Sequence, residues 1–202
     1  TDSSGEGNNM AISGTMTATQ DNAMNNFCTM NPLDNYFAAS TFTHGNNTIQ
    51  TASSPYCYNT ATMGLGAGLW YWEVKIIADS GSGDEFQNGI SDTFPTSTTI
   101  QLGATANAYG YKSENGEILN DGSAVSYGVT TTVGDIIGVY LDLTANKLYF
   151  AKDGVIMNSG TGFSINAAST TSGYYTPAYN FGSGSTQGTC SFNFGNGYFG
   201  TT

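Results

Sequence analysis

Four acidic side chains in one Gly- and Ser-rich stretch have the composition of a cation site. Asp79, Asp84, Glu85 and Asp92 fall within ADSGSGDEFQNGISD, residues 78–92. Ca²⁺ accepts about six to eight oxygen ligands in flexible geometry. The spacing matches neither an EF-hand loop nor a Ca²⁺-binding nonapeptide repeat. We therefore favour a solvated acidic loop and keep a Ca²⁺ site built from these four carboxylates as the alternative.

Catalysis lacks its usual acid-base partners in this sequence. The single histidine, His44, lies in the polar segment THGNN with no GxSxG-type turn beside it, and Ser-His-Asp or Cys-His catalysis needs a histidine as base. Glycoside hydrolysis needs two carboxylates about 5–10 Å apart, but no strand carries alternating acids. Glu114 and Glu117 fall in a Gly/Asn turn, and Glu73 stands between aromatic residues. We expect no catalytic residue and no enzymatic activity.

The three cysteines, Cys28, Cys57 and Cys190, are too few for a disulfide framework. We expect three reduced and buried thiols, with a single Cys28–Cys57 bridge as the alternative. With one histidine and no CxxC spacing, these cysteines do not make up a zinc ligand set. Apart from the Ca²⁺ alternative, we expect no cofactor.

Aromatic side chains near strand-loop junctions are the remaining candidates for ligand contact. A flat amphipathic ring can stack on a sugar or anchor a protein contact while its hydroxyl forms hydrogen bonds. Tyrosine in an all-β fold is ordinarily a half-buried strand residue, so packing is the alternative for each tyrosine. Phenylalanine beside a polar loop needs a partner, either its own fold or another chain. The candidate ligand contacts are Phe86, Phe94, Tyr109, Tyr111, Tyr127, Tyr174 and Tyr175.

Composition and charge narrow the class of partner. The 202 residues include 15 acids, four lysines and no arginine, for a formal charge of -11. Nucleic-acid binding relies on Lys and Arg neutralising phosphates, and anionic membranes attract basic segments, so we expect neither partner. No apolar run reaches the roughly 20 residues of a membrane span. The first residue is not Met and the sequence ends FNFGNGYFGTT, so we expect a longer parent chain.

Alternating apolar residues predict antiparallel strands. The run LWYWEVKII, residues 69–77, has the two-residue period of a half-buried strand. In GDIIGVYLDLTANKLYFAKDG, residues 134–154, two more alternating strands flank a turn at 144–146. A two-residue type I′ turn at Asp153-Gly154 then leads into a third strand at 155–157, which completes a meander. The outward positions of these runs include Tyr71, Glu73, Lys75, Tyr140, Asp142, Lys147 and Tyr149.

Shorter strand signals cover the rest of the chain and set the architecture. They fall at Met10–Thr19, Asn35–Phe42, Asn88–Ser91, Gln101–Ala104, Tyr174–Asn180 and Cys190–Phe194. Gly, Thr, Ser and Asn dominate the composition, which disfavours helix interiors. We predict an all-β protein, an antiparallel sandwich of about a dozen strands. Residues 64–202 should form the sandwich, and residues 1–63 an extended N-terminal arm with edge strands within one structural domain, because they hold too few apolar residues for a core.

The motifs, taken in order, resemble the SPRY (B30.2-type) domain family. The similar blocks are WYWEVKI (70–76), NGISD (88–92), AYGYKSENGEILNDG (108–122), VSYG (125–128), GDIIGVYLDLTANKLYFAKDG (134–154), YTPAYNFG (175–182) and SFNFGN (191–196). The resemblance implies a concanavalin-like sandwich that recognises peptides or other ligands with loops at one end of the sheets, without catalysis or cofactor. It also implies core roles for Trp70, Trp72, Leu141, Phe150 and Phe194.

The segment CTMNPLDN (28–35) and the Thr/Asn/Gly-rich composition resemble SPRY modules embedded in bacteriophage virion proteins. We therefore predict a non-enzymatic binding module of a phage structural protein, made in a host cytoplasm and displayed on a virion or extracellular surface. Its ligand would be a host-surface glycan or protein. The alternative is a structural or decoration subunit that self-associates, or joins a virion lattice, through the N-terminal arm and sheet edges. Eukaryotic members often bind peptides with arginine, which this chain lacks.

Overall fold

The computed structural model describes residues 26–34, 39–52, 56–80, 86–97, 99–168, 172–182, 187–197 and 199. These residues form 14 strands and one short 3-10 turn at Asn158–Gly160. The strands make two antiparallel sheets, which confirms the predicted all-β sandwich. The predicted strand Met10–Thr19 and the first four residues of Asn35–Phe42 lie outside the described residues. In the described part of the chain, no helix has the length and apolar character to cross a membrane.

The sheets have eight and six strands. In chain order the strands are β1 (Thr41–Thr43), β2 (Thr48–Gln50), β3 (Cys57–Thr60), β4 (Leu69–Asp79), β5 (Phe86–Ser91), β6 (Ala108–Lys112), β7 (Glu117–Asn120), β8 (Ser123–Ser126), β9 (Ile136–Asp142), β10 (Lys147–Lys152), β11 (Val155–Ile156), β12 (Phe163–Ser164), β13 (Thr176–Phe181) and β14 (Gly188–Asn193). The larger sheet has the order β1-β2-β14-β4-β9-β10-β11, with β12 also paired to β10. The smaller sheet has the order β3-β13-β5-β6-β7-β8.

The predicted meander is confirmed in strands β9, β10 and β11. The four residues 143–146 connect β9 to β10, with Asp142 paired to Lys147. Asp153 and Gly154 have φ angles of 49° and 81°, as a type I′ turn requires at both central positions. The short loops therefore fix the register of three neighbouring strands.

The core lies between the two sheets and is filled by alternate strand residues. Trp72, Val74 and Ile76 point inward from β4 and are at most 3% exposed. They pack in one cluster with inward residues of both sheets, which include Phe86, Ile90, Tyr109, Tyr111, Val139, Leu141, Leu148, Phe150, Tyr179 and Phe181. This cluster is the hydrophobic interior of the sandwich.

The loop between β5 and β6 covers the outer face of the six-stranded sheet. Leu102 in this loop is fully buried, and its backbone N–H donates to Asn180 Oδ1 at 3.0 Å. The loop backbone lies so close to the sheet that a Cβ on Gly110 would be 2.8 Å from the Leu102 carbonyl oxygen. The predicted strand Gln101–Ala104 is therefore wrong, because these residues form a turn that buries Leu102 against a sheet instead of pairing with one.

Strands β1, β2 and β3 precede residue 64 and lie at the sheet edges. The pair β1-β2 extends the larger sheet beyond β14, and β3 is the edge of the smaller sheet beside β13. Met30 is fully buried and forms an isolated bridge with Ala61. The described part of the N-terminal region is thus in contact with both sheets.

Candidate functional site

Five of the seven predicted ligand contacts lie in the core, so the prediction is wrong for them. Phe86, Tyr109, Tyr111, Tyr127 and Tyr175 are each at most 5% exposed. Their rings pack between the sheets, as in the Tyr111–Phe150 stack with centroids 4.9 Å apart. Strand alternation directs these rings inward, where they bury the large area that aromatic side chains contribute to a core.

Phe94 and Tyr174 are the two predicted contacts that reach solvent. They are 53% and 36% exposed. Phe94 follows β5 and Tyr174 precedes β13, and because Ser91 pairs with Thr176, both loops lie at the same end of the smaller sheet. Both residues remain predicted ligand contacts.

The four carboxylates of the Ca²⁺ alternative are not shown to form a site. Asp79 ends β4 on the side where β5 begins, whereas Asp92 follows the other end of β5, so one ion cannot bind both. Asp92 is buried and accepts a hydrogen bond from Asn107 Nδ2 at 2.7 Å. Asp84 and Glu85 lie outside the described residues. Within the part of the chain that is described, no three His, Cys, Asp or Glu side chains are grouped to hold a metal.

The predicted core residues differ in their burial. Trp72, Leu141 and Phe150 are buried, and Phe194 is partly buried against the core. The core prediction is wrong for Trp70, which is 42% exposed. Its indole N–H donates to the Ala67 carbonyl oxygen at 2.8 Å, which holds the ring at the end of the sandwich.

An apolar groove lies on the outer face of the eight-stranded sheet and was missed in the sequence. It encloses about 470 Å³ and is called the tyrosine groove below. Leu69 on its wall is 74% exposed and Ile156 is 40% exposed. The other side chains that line it include Trp70, Tyr71, Tyr140, Asp142 and Tyr149.

Strand register brings the three tyrosines of the groove into one row. Tyr71 on β4 pairs with Tyr140 on β9, which pairs with Tyr149 on β10. The Tyr71 and Tyr140 ring centroids are 4.4 Å apart with a tilt of 36°. Both rings pass close to Gly138, where a Cβ would lie 3.3 Å from each. A glycine at this position leaves space for the two rings to lie over the sheet.

Two carboxylates lie on opposite sides of this row. Glu73 lies two residues after Tyr71 on the same face of β4. It accepts a hydrogen bond from the Tyr71 hydroxyl at 2.7 Å and one from Asn193 Nδ2 at 3.0 Å. Asp142 pairs with Leu69 and accepts the backbone N–H groups of residues 144 and 145 through one oxygen. Partial burial, the hydrogen bond and charge of Glu73 and the adjacent Tyr140 hydroxyl raise the pKa of Tyr71, so its phenol is neutral at physiological pH.

Nucleophilic groups in the described structure are poorly placed for catalysis. Cys28, Cys57 and Cys190 are free and buried, as favoured from the sequence, and burial raises the pKa of each thiol. A thiol with a raised pKa is a weak nucleophile at neutral pH. His44 Nδ1 contacts the hydroxyls of Thr43 and Thr48 at 3.2 Å, neither of which belongs to the tyrosine groove.

A comparison with protein families decides the assignment. The model of the SPRY domain matches residues 69–197, which is more than half of the chain. This chain belongs to the SPRY domain family. The resemblance seen in the sequence blocks is thereby confirmed at the level of the family, while a phage origin is not shown.

Known SPRY structures and proteins are similar to this chain to different extents. The crystal structure of the SPRY domain of human HERC1 superposes with a TM-score of 0.66 at 19% identity, over 84% of this chain and 99% of that one, which shows the shared fold. The Ran-binding proteins 9/10 homolog of Drosophila melanogaster is 33% identical over 90 residues, 44% of this chain and 9% of that protein. Ran-binding protein 9 of Xenopus tropicalis is 30% identical over 113 residues, 55% of this chain and 20% of its own length. The match thus spans a fifth or less of these relatives.

The tyrosine groove of this SPRY domain uses positions that the sequence had already assigned to an outward face. Alternation placed Tyr71, Tyr140 and Tyr149 on that face, but the pairing of their strands was needed to bring them together. The four-residue connection at 143–146 is the signal that could have placed Tyr140 opposite Tyr149. The pairing of β4 with β9, by contrast, joins segments distant in sequence.

Proposed function

We propose that this SPRY domain is a non-catalytic protein-interaction module whose tyrosine groove binds a segment of its partner. SPRY domains as a class mediate protein-protein interaction, and the observation that supports this surface is the exposed apolar groove itself. Leu69, Trp70, Tyr71 and Ile156 are between 40% and 74% exposed and line one concavity. Contiguous exposed apolar surface marks interaction sites, and Trp and Tyr are enriched at the energetic centres of interfaces.

The sheet face gives the groove a shape suited to an extended segment. The row from Tyr71 to Tyr149 crosses three strands, and adjacent strands are about 4.8 Å apart, so the row offers roughly 10 Å of aromatic surface. The rings are held by the sheet and lose little conformational freedom on binding, which favours affinity. The exposed loop residues Phe94 and Tyr174 would supply a separate contact at the end of the smaller sheet.

The ligand class and the biological setting are parts of the proposal with different support. A glycan is the second candidate ligand because aromatic faces beside a carboxylate such as Asp142 also stack on and hydrogen-bond to sugars. Display on a virion or extracellular surface rests on the segment CTMNPLDN (28–35) and the Thr/Asn/Gly-rich composition. We further propose that binding requires neither a cofactor nor Ca²⁺.

Assembly through sheet edges is the second candidate function, and strand β8 favours it. Ser123–Ser126 is the edge of the six-stranded sheet, carries no charged residue and is exposed along its whole length. An uncharged edge strand offers unpaired backbone groups to another chain. In this alternative a second copy would pair along β8, and light scattering would show a dimer that Val125→Lys reduces to a monomer.

The decisive experiment selects ligands without naming one in advance. The 202-residue chain is screened against a random-peptide library displayed on phage and against a glycan array, alongside a Leu69→Ser/Ile156→Ser variant. Leu33→Ser is the matched control because Leu33 is 89% exposed and does not line the groove. We expect selected peptides to bind the groove variant at least tenfold more weakly than the control variant. Equal binding by both variants would refute the groove as the interaction surface.

A further inference from the structure

The tyrosine groove has the electrostatic character of a site for a positive charge. Its aromatic faces present the negative side of their quadrupoles, which attracts cations placed over the ring. Asp142 lines the groove, and Glu73 accepts the hydroxyl hydrogen bond of Tyr71 at 2.7 Å. The row of rings therefore lies between two carboxylates.

In the described part of the chain, no ion pair within 4 Å neutralises these carboxylates. Among the described residues, the ion pairs within 4 Å join Lys112 to Glu114 and Lys152 to Asp135. Lys147 pairs with Asp142 across β9 and β10, but its ammonium donates to Ser164 Oγ at 2.7 Å. The hydrogen bonds that Glu73 and Asp142 accept come from neutral donors.

Lys75 is the remaining lysine of the chain. It lies on the same outer face of β4, two residues after Glu73. It is opposite Ile136 on β9 and Ser191 on β14, four residues along the strand from Tyr71 and the row of tyrosines. Residues four positions apart on one strand are separated by roughly 13 Å. Lys75 therefore does not occupy the space over the rings.

We infer that the tyrosine groove binds an arginine side chain of the partner protein, an inference that rests on the proposed function. Arginine suits this site better than lysine because its planar guanidinium stacks on aromatic faces and its donors form paired hydrogen bonds with a carboxylate. Placed over the exposed aromatic faces of the groove, its donors would face Asp142, which lines the same groove. A cationic ligand also complements the formal charge of -11, which favours encounter.

The 202 residues do not supply the arginine themselves. They contain no arginine, so neither another segment among them nor the same 202 residues of a second copy can supply one. An acidic or phosphorylated segment would meet two like charges at Glu73 and Asp142, which is unfavourable at close range. The partner segment is therefore basic.

The test uses small defined probes on the whole 202-residue chain. Nα-acetyl-arginine N-methylamide is titrated by NMR beside its citrulline counterpart, which has nearly the same shape and no charge. We expect the arginine probe to shift ring resonances of Tyr71, Tyr140 and Tyr149 at millimolar concentration and to bind at least fivefold more tightly than citrulline. Equal binding of the two probes would overturn the inference.

Charge-neutral variants locate the interaction. Asp142→Asn keeps an oxygen that accepts the backbone N–H groups of residues 144 and 145, and Glu73→Gln keeps one acceptor and gains a donor for the Tyr71 hydroxyl. Each should weaken the arginine probe at least threefold. Asp121→Asn removes the same charge in the β7-β8 turn and should leave binding unchanged. If Asp121→Asn weakens the probe as much as Asp142→Asn does, the attraction is nonspecific and the inference is wrong.

The peptide library separates failure of this inference from failure of the proposed function. Selected peptides that lose binding with Leu69→Ser/Ile156→Ser and contain an enriched arginine support both. Groove-dependent peptides without a basic residue overturn the arginine inference and leave the interaction surface in place. Peptides that are insensitive to the groove variant overturn both.

Discussion

Replacing Asn88 by leucine should stabilise this protein. Asn88 points into the core from the middle of β5 and is fully buried, with Tyr179 and Tyr111 as its pair partners on the two neighbouring strands. Neither its Oδ1 nor its Nδ2 has a hydrogen-bond partner among the described residues. The amide therefore loses its hydration on folding without a compensating bond.

The size of the gain follows from this environment. A buried polar group without a partner costs about 1–3 kcal/mol, and leucine has the same number of side-chain heavy atoms as asparagine. Its tetrahedral branch against the tyrosine rings will offset part of the gain through imperfect packing. We expect Asn88→Leu to raise the free energy of unfolding by about 2 kcal/mol, and the Tm by about 4–8 °C for a chain of this length.

Urea denaturation followed by circular dichroism measures the change, with a shifted midpoint and an unchanged slope as the expected signature. Asn180→Leu is the matched control, because Asn180 is equally buried but its Oδ1 accepts the Leu102 N–H at 3.0 Å. The control should lose stability, because the unpaired Leu102 N–H costs about 1–3 kcal/mol, offset in part by removal of the Asn180 Nδ2, which also has no partner among the described residues. A loss of more than about 1 kcal/mol in Asn88→Leu would refute the reasoning and indicate that a buried water bonds the amide.

Three further perturbations test the fold and its charges. Gly89→Ala should cost at least about 3 kcal/mol, because a Cβ there would collide with the Tyr109 backbone oxygen; a wild-type melting curve would contradict this. Desolvation by burial raises the pKa of Asp135, but hydrogen bonds from Lys152 and a backbone N–H outweigh it and lower that pKa. The ionised carboxylate therefore adds to the free energy of unfolding above the ordinary carboxyl pKa, and this contribution is lost as the pH falls through the lowered pKa of the folded state. Asp135→Asn should therefore cost about 0.5 kcal/mol at pH 7 and progressively less as the pH falls through the lowered pKa, by urea titration; a cost that is unchanged in acid would exclude an ionic origin. The fully buried Cys190 should react with iodoacetamide only after unfolding, by mass spectrometry, and rapid labelling of the native protein would contradict its burial.

Local pattern was sufficient to predict the strands whose partners are close in sequence. The alternation in β9 and β10 and the glycine-containing turn at 153–154 specify a meander without reference to the rest of the molecule. The sequence 101–104 shows the limit of the same reasoning. Leu102 is flanked by polar and small residues as in a strand, but it is buried by the outer face of the six-stranded sheet, and that contact depends on a distant residue, Asn180.

Burial of the aromatic residues was predicted less well than their secondary structure. Alternation distinguishes two faces of a strand but does not say how far the second sheet extends over the inner one. Trp70 shares the inward parity of Trp72, yet Trp70 is 42% exposed and Trp72 is 3% exposed. The tyrosines at 109, 111, 127 and 175 lie inside the sandwich because both sheets cover their positions, which is a property of the assembled sheets.

The outer face of the eight-stranded sheet has a polar half, on β2 and β14, and an aromatic half, on β4, β9 and β10. The outward positions of β2 and β14 carry polar side chains, among them Thr48 and Ser191, which are buried and joined by a hydrogen bond of 2.7 Å. The outward positions of β4, β9 and β10 carry Tyr71, Tyr140 and Tyr149 instead. On the six-stranded sheet the corresponding apolar surface is covered by the loop that contains Leu102, which is fully buried. Among the described residues Gly162 lies against the Tyr149 ring, whereas Tyr71 is 48% exposed, so a ligand that completes the burial of this row would come from outside the sandwich.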